Sequence, residues 1–144
     1  MNNKEDLYIN ISAPNLVNIC VDKSIDGEIT GRIFDCYHKT PFLFNNLINL
    51  LRWMESFFDN LSYPQAATIT RNFGQSHIEE KKDLKKLLSQ EDIIQNRGEK
   101  GTFVTWVQYR QNSSWQGETV CMEKMEKYRF ASTLDLVKII DAFS

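Results

Sequence analysis

The sequence predicts an α+β fold: a duplicated β-β-β-α unit that forms a mainly antiparallel sheet or open barrel covered by two helices. Three observations carry this. Short stretches alternate apolar and polar residues with the period of a half-buried strand. Each group of strands runs into a segment whose apolar residues recur at helical spacing. The two groups also superimpose without a gap when Gly31 is set against Gly117, 86 positions later. That spacing puts Val17 on Phe103, Val21 on Val107, Phe34 on Val120, Cys36 on Met122, Phe44 on Phe130 and Asn46 on Ser132. In the helices Ile48, Leu50, Leu51 and Met54 fall on Leu134, Leu136, Val137 and Ile140. A unit of this size closes no core alone. The expectation is therefore one domain over 1–144, with repeats at 15–58 and 101–144 and a connector at 59–100 that carries a charged helix.

Taken in order, Leu7–Ser12 and Val17–Asp22 alternate as strands, interrupted at Pro14-Asn15. Asp26-Gly27 is a two-residue hairpin signal, because both positions of a type I′ turn need positive φ. A strand from Glu28 to His38 follows, then a turn at Thr40-Pro41 and a short strand at Phe42–Phe44. Asn45-Asn46 caps a helix whose apolar arc, from Leu47 to Phe58, is wider than one core face requires. Trp53 and Phe57 in that arc either pack against a second element or also face a partner subunit. Ser62-Tyr63-Pro64 opens a short helix that ends near Asn72-Phe73-Gly74. Ile78–Leu88 reads as a helix with Ile78, Leu84, Leu87 and Leu88 inward and its charges in water. Strands follow at Phe103–Arg110, Trp115–Lys124 and Lys127–Ala131. Ser132 and Asp135 have capping-box spacing before the last helix.

The bulk properties exclude several classes. The 144 residues are 42% hydrophobic and 25% charged, with net charge −2. The charges are mixed locally: residues 78–100 carry six basic and six acidic side chains, and residues 101–144 five of each. No basic footprint suits a DNA duplex. No apolar run reaches membrane-spanning length, and the polar start Met1–Asp6 is no secretory signal. Cys20, Cys36 and Cys121 are odd in number and form no CxxC pair, which fits buried thiols in a cytoplasmic protein. No cofactor loop, nucleophile elbow or metal-spaced cluster is present, and Cys36-x-His38 is an isolated pair. The expectation is a protein with no catalytic, metal or cofactor site.

Comparison of the two halves locates the candidate ligand-binding residues. The first hairpin tip is Ser24, Ile25, Asp26, Gly27, Glu28 and Ile29; the second places Arg110, Gln111, Asn112, Ser113, Ser114 and Trp115 at the same positions. The second tip holds more side-chain donors than a turn requires. Strict alternation puts Phe103, Thr105, Val107 and Tyr109 on the core face and Trp106, Gln108 and Arg110 on the other. With Gln111, Asn112, Trp115 and Gln116 these form a candidate surface for a planar or anionic ligand. Alternatively, Arg110 and Gln111 bond a neighbouring loop and Trp106 packs under a connecting helix.

Two resemblances bear on this stretch. Asn112-x-Ser114-x-x-Gly117 resembles the second half of the signature of PilZ domains, which implies a cyclic di-GMP sensor. The upstream RxxxR element of that family is missing; Arg97 and Lys100 are the nearest basic residues. Val107–Gly117 with Phe130–Asp141 also resembles a group of small, uncharacterised Firmicutes proteins with a VQFRQN-x-SWQG-like segment, which implies a bacterial cytosolic protein and no particular mechanism. The leading expectation is a binding or adaptor module that meets a protein partner, or a second copy of itself, through the second hairpin. The alternatives are a nucleotide sensor using Arg110 and Asn112, and a small enzyme.

Overall fold

The computed structural model describes residues 13–63, 85–111 and 114–144. Nine elements follow in order: β1 (Val17–Ile25), β2 (Glu28–Phe34), β3 (Phe42–Phe44), α1 (Leu47–Leu61), α2 (Gln90–Ile94), β4 (Gly101–Gln111), β5 (Ser114–Cys121), β6 (Glu126–Phe130) and α3 (Thr133–Ala142). The strands form one open antiparallel sheet in the order β3-β2-β1-β4-β5-β6. The α+β class and the antiparallel sheet agree with the sequence; the sheet is open, and three helices are described, α1 and α3 packed on one face and the short α2 on the other. No helix among the described residues is long and apolar enough to cross a membrane.

Local chemistry sets the elements. Asp26 and Gly27 adopt φ of 52° and 80°, as their hairpin turn demands. Asn46 caps α1 by accepting the Asn49 N–H at 2.8 Å, and Ser132 caps α3 by accepting the Asp135 N–H at 3.1 Å. α1 ends where Ser62 turns left-handed at φ 58°. The strand expected to reach His38 stops at Phe34, because buried Asp35 accepts the backbone N–H groups of Tyr37 and His38 and folds the chain into a turn. The Leu7–Ser12 strand and the Pro64–Gly74 segment lie outside the described residues. So does most of the 78–88 helix, whose described end, 85–88, has no regular structure.

Apolar side chains pack on both faces of the sheet. On one face Leu50, Met54, Phe57 and Phe58 of α1 and Leu136 and Ile140 of α3 meet Val17, Ile19, Val21, Ile33, Phe103 and Val107. Trp53 stacks on Phe42 and Phe57, so its ring is drawn into this layer and Phe57 is buried within it. A smaller cluster of Leu16, Cys36, Ile93 and Val104 seals the second face under α2. Buried Asn18 holds α2 there: its Nδ2 donates to the carbonyls of Ile93, at 2.8 Å, and Asn96, at 3.0 Å.

Strand pairing recurs at the 86-residue spacing seen in the sequence. Val21 faces Gly31 and Val107 faces Gly117; Gly31 faces Phe44 and Gly117 faces Phe130. At the centre Asn18 faces Val104, with Val17 on Thr105 and Ile19 on Phe103. Each long hairpin carries one extra residue, Asp22 in β1 and Gln108 in β4. The backbones approach closely opposite each bulge. A Cβ on Gly31 would lie 2.0 Å from the Cys20 oxygen, and one on Gly117 would lie 2.1 Å from the Trp106 oxygen. Backbone cannot move aside as a side-chain tip can. Gly31→Ala and Gly117→Ala are each expected to lower unfolding stability by about 1–3 kcal/mol in urea titrations; an unchanged midpoint would show that the strands can separate at no cost.

Candidate functional site

The bulge at Gln108 overturns the face assignment of the second hairpin. One extra residue reverses the faces of everything beyond it. Tyr109, expected in the core, is 55% exposed, whereas Arg110, expected outside, is 4% exposed. Arg110 and Trp115 face each other across the hairpin and point under α1. The Arg110 guanidinium donates through Nη1 to Glu55 Oε2 at 2.7 Å and Asp59 Oδ1 at 2.9 Å. It also lies 5.7 Å from the centre of the Phe58 ring. Trp115 donates its indole N–H to Glu55 Oε1 at 2.8 Å and meets Phe58 edge to face at 5.4 Å. Two candidate binding residues therefore fasten the second hairpin to the first long helix.

The remaining candidates are divided. Trp106 packs against the second apolar cluster, and its indole N–H is buried with no hydrogen-bond partner among the described residues. Gln111 ends β4, and Asn112 lies outside the described residues. Gln108 and Gln116 line a cleft of about 260 Å³ with Tyr109, Gly117, Arg129, Phe130, Ala131 and Asp135. Within it Gln108 Nε2 donates to the Tyr109 hydroxyl at 3.4 Å. The cleft presents two amides, a phenol, a guanidinium and a carboxylate on the sheet and the start of α3, groups able to hydrogen-bond and ion-pair.

The first bulge differs. Asp22 there receives both Arg32 Nε, at 2.8 Å, and Arg32 Nη2, at 3.1 Å. The Gly98–Lys100 strap closes over it, with the Glu99 N–H on Asp22 Oδ1 and the Lys100 N–H on the Val21 oxygen at 2.7 Å. At the second bulge the position of Lys100 is held by Pro14, which has no N–H to give. The side chain of the next residue substitutes: Asn15 Nδ2 donates to the Val107 oxygen at 2.9 Å. The carbonyl is satisfied in both halves, but among the described residues only Asp22 is gripped by a guanidinium and a strap.

Sequence comparison missed Tyr109, Arg129 and Asp135, because it was confined to the hairpin tip. The same spacing sets them against Lys23, Leu43 and Asn49. Extended into β6 and α3, it exposes Leu43 against Arg129 as a change of chemistry at an exposed position.

Other reactive groups are tied into the framework. Burial raises the Asp35 carboxyl above its ordinary range, against the pull of the Tyr37 N–H and of His38, whose Nδ1 lies 3.0 Å away. Among the described residues no group of three His, Cys, Asp or Glu side chains is placed to hold a metal ion. The three cysteines are unpaired and buried. Burial raises all three thiols, Cys20 to about 12. Compared with protein-family models, curated proteins and solved structures, the chain finds no match.

Buried protonated thiols are poor nucleophiles. At pH 8 a thiol-reactive disulfide reagent is expected to label none of the three cysteines in the folded protein and all three in urea. The folded state also keeps these protons to higher pH than the unfolded chain, so stability falls as pH rises past the ordinary thiol range. Rapid labelling of one native cysteine would contradict the assignment.

Proposed function

We propose that the protein is a non-enzymatic binding module built from a duplicated β-β-β-α unit, and that the cleft at the second bulge receives a protein partner. The duplication reading draws on the shared spacing of the central pairing, the bulges, the facing glycines and the helix caps. It extends to the first turns of the helices: Asn49 Oδ1 accepts the Asn45 N–H, and Asp135 Oδ2 accepts the Ala131 N–H.

One observation carries the functional reading: the same bulge is bound over in one half and lines a polar cleft in the other. A framework needs its polar side chains paired. Among the described residues Gln108, in place of Asp22, makes one side-chain hydrogen bond, a long one to Tyr109. The cleft, at about 260 Å³, is smaller than the roughly 300–1,000 Å³ typical of small-molecule pockets, which favours a protein surface over an enclosed metabolite. The nucleotide-sensing alternative drew on Arg110 for a phosphate, and Arg110 is committed to Glu55 and Asp59. Three unpaired thiols are in keeping with action in a reducing cytosol.

Chemical cross-linking in the source organism, followed by affinity capture, tests the reading. The double variant Gln108→Ala/Gln116→Ala is expected to recover the partner at least tenfold less well. Its urea midpoint should stay within about 0.5 kcal/mol of the parent, since both side chains are partly solvated. Equal recovery by the double variant would contradict the cleft as the binding surface.

A further inference from the structure

We infer that the group this cleft takes from its partner is an uncharged side-chain amide, that of an asparagine or glutamine, read by Gln108, Tyr109 and Gln116; this rests on the protein-binding reading above. The charges at the cleft are answered within the fold. Arg129 Nη2 stands 3.7 Å from Glu118 Oε2, within ion-pair distance. Asp135 keeps its Oδ2 on the Ala131 N–H in the first turn of α3, where negative charge is favoured. Arg129 and Asp135 line the same cleft, so an entering ion of either sign meets a like charge as well as an unlike one. Little there repays a charged group for its lost hydration.

The binding capacity that remains is neutral. Gln108 Nε2 donates to the Tyr109 oxygen at 3.4 Å, which leaves the phenol O–H as a donor and Gln108 Oε1 as an acceptor. Among the described residues the Gln116 side chain makes no hydrogen bond, so its amide brings both donors and its acceptor to the cleft. Tyr109 and Gln116 face each other across β4 and β5, which sets phenol and amide side by side on the sheet. Donors and acceptors together complement a primary amide, which carries both on one planar group. The exposed Tyr109 ring offers a flat apolar wall for that plane. In the first half the same spacing places Asp22, Lys23 and Thr30 at the positions of Gln108, Tyr109 and Gln116, so two ionic groups there give way to uncharged ones here.

Three tripeptides with acetyl and N-methylamide ends, Ala-Gln-Ala, Ala-Glu-Ala and Ala-Ala-Ala, test the assignment by titration into the ¹⁵N-labelled full chain. The glutamine side chain is then the sole primary amide among the peptides. The backbone resonances of Gln108, Tyr109 and Gln116 are expected to shift saturably with the Gln peptide, about fivefold tighter than with either of the others. That affinity should be the same at low and at physiological ionic strength, since no net charge is neutralised. Gln116→Met, which keeps the length but removes the amide, should abolish the preference, and Tyr109→Phe, which loses one donor and keeps the ring, should reduce it. Equal binding of the Gln and Ala peptides would show that the cleft reads the main chain, and overturns the assignment. Tighter binding of the Glu peptide overturns it too, as does a preference that survives Gln116→Met in a variant with the parental urea midpoint. Absence of any shift, with partner capture still dependent on Gln108 and Gln116, overturns the amide selectivity and leaves the binding module standing. Loss of that dependence as well overturns both.

Discussion

The single extra residue at Gln108 is the constraint on which the second half of the molecule depends. Without it, period-two alternation would turn Arg110 to solvent and Tyr109 into the core. With it, Arg110 and Trp115 reach beneath α1 and join a charged, aromatic cluster with Glu55, Phe58 and Asp59. The second hairpin is thereby anchored to a helix that follows the first three strands, so the two ends of the chain interlock. The same residue leaves Gln108 and Tyr109 in the cleft and brings the strands so close that only glycine fits at position 117.

The first bulge shows what this device does when it serves the framework alone. Asp22, Arg32 and the Gly98–Lys100 strap close on one another, and Asn18 pins the segment just before the strap against the sheet. Pro14 removes the main-chain donor that the second half would otherwise use, and Asn15 restores that one bond with its side chain. The repair satisfies a buried carbonyl, which would be costly to leave unpaired, without bringing Gln108 into a matching set of ion pairs. Among the described residues the two matching corners thus differ: ion pairs and a strap close one, and the other lines the cleft that is proposed to bind.

Much of the fold was legible because its signals are local. Asp26-Gly27 forces its turn, Asn46 and Ser132 cap their helices, and the repeating spacing aligns glycines that face each other's bulges. The bulges themselves were not legible: a one-residue insertion leaves the composition of β4 unchanged, and only the pairing with Gly117 and Gln116 reveals it. That is why Trp106, Gln108 and Arg110 were read as one surface when the structure sends Arg110 to the opposite face. Helix α2 was missed although Ser89 and Asp92 have the capping spacing noticed at Ser132 and Asp135. Its brevity hides any apolar period, and its position is fixed by the distant Asn18. Arg129 and Asp135 became visible only when β6 and α3 were folded back beside the bulge.

The most direct measurement is a double-mutant cycle between Arg110 and Glu55, read by urea unfolding of the parent, Arg110→Ala, Glu55→Ala and the double variant. If the bulge turns the hairpin under α1, the two residues act as one unit and the cycle gives a coupling of about 1 kcal/mol or more, tempered by the partial exposure of Glu55. Additivity within about 0.3 kcal/mol would mean that Arg110 does not depend on α1. The division between a structural face and a binding face would then fail.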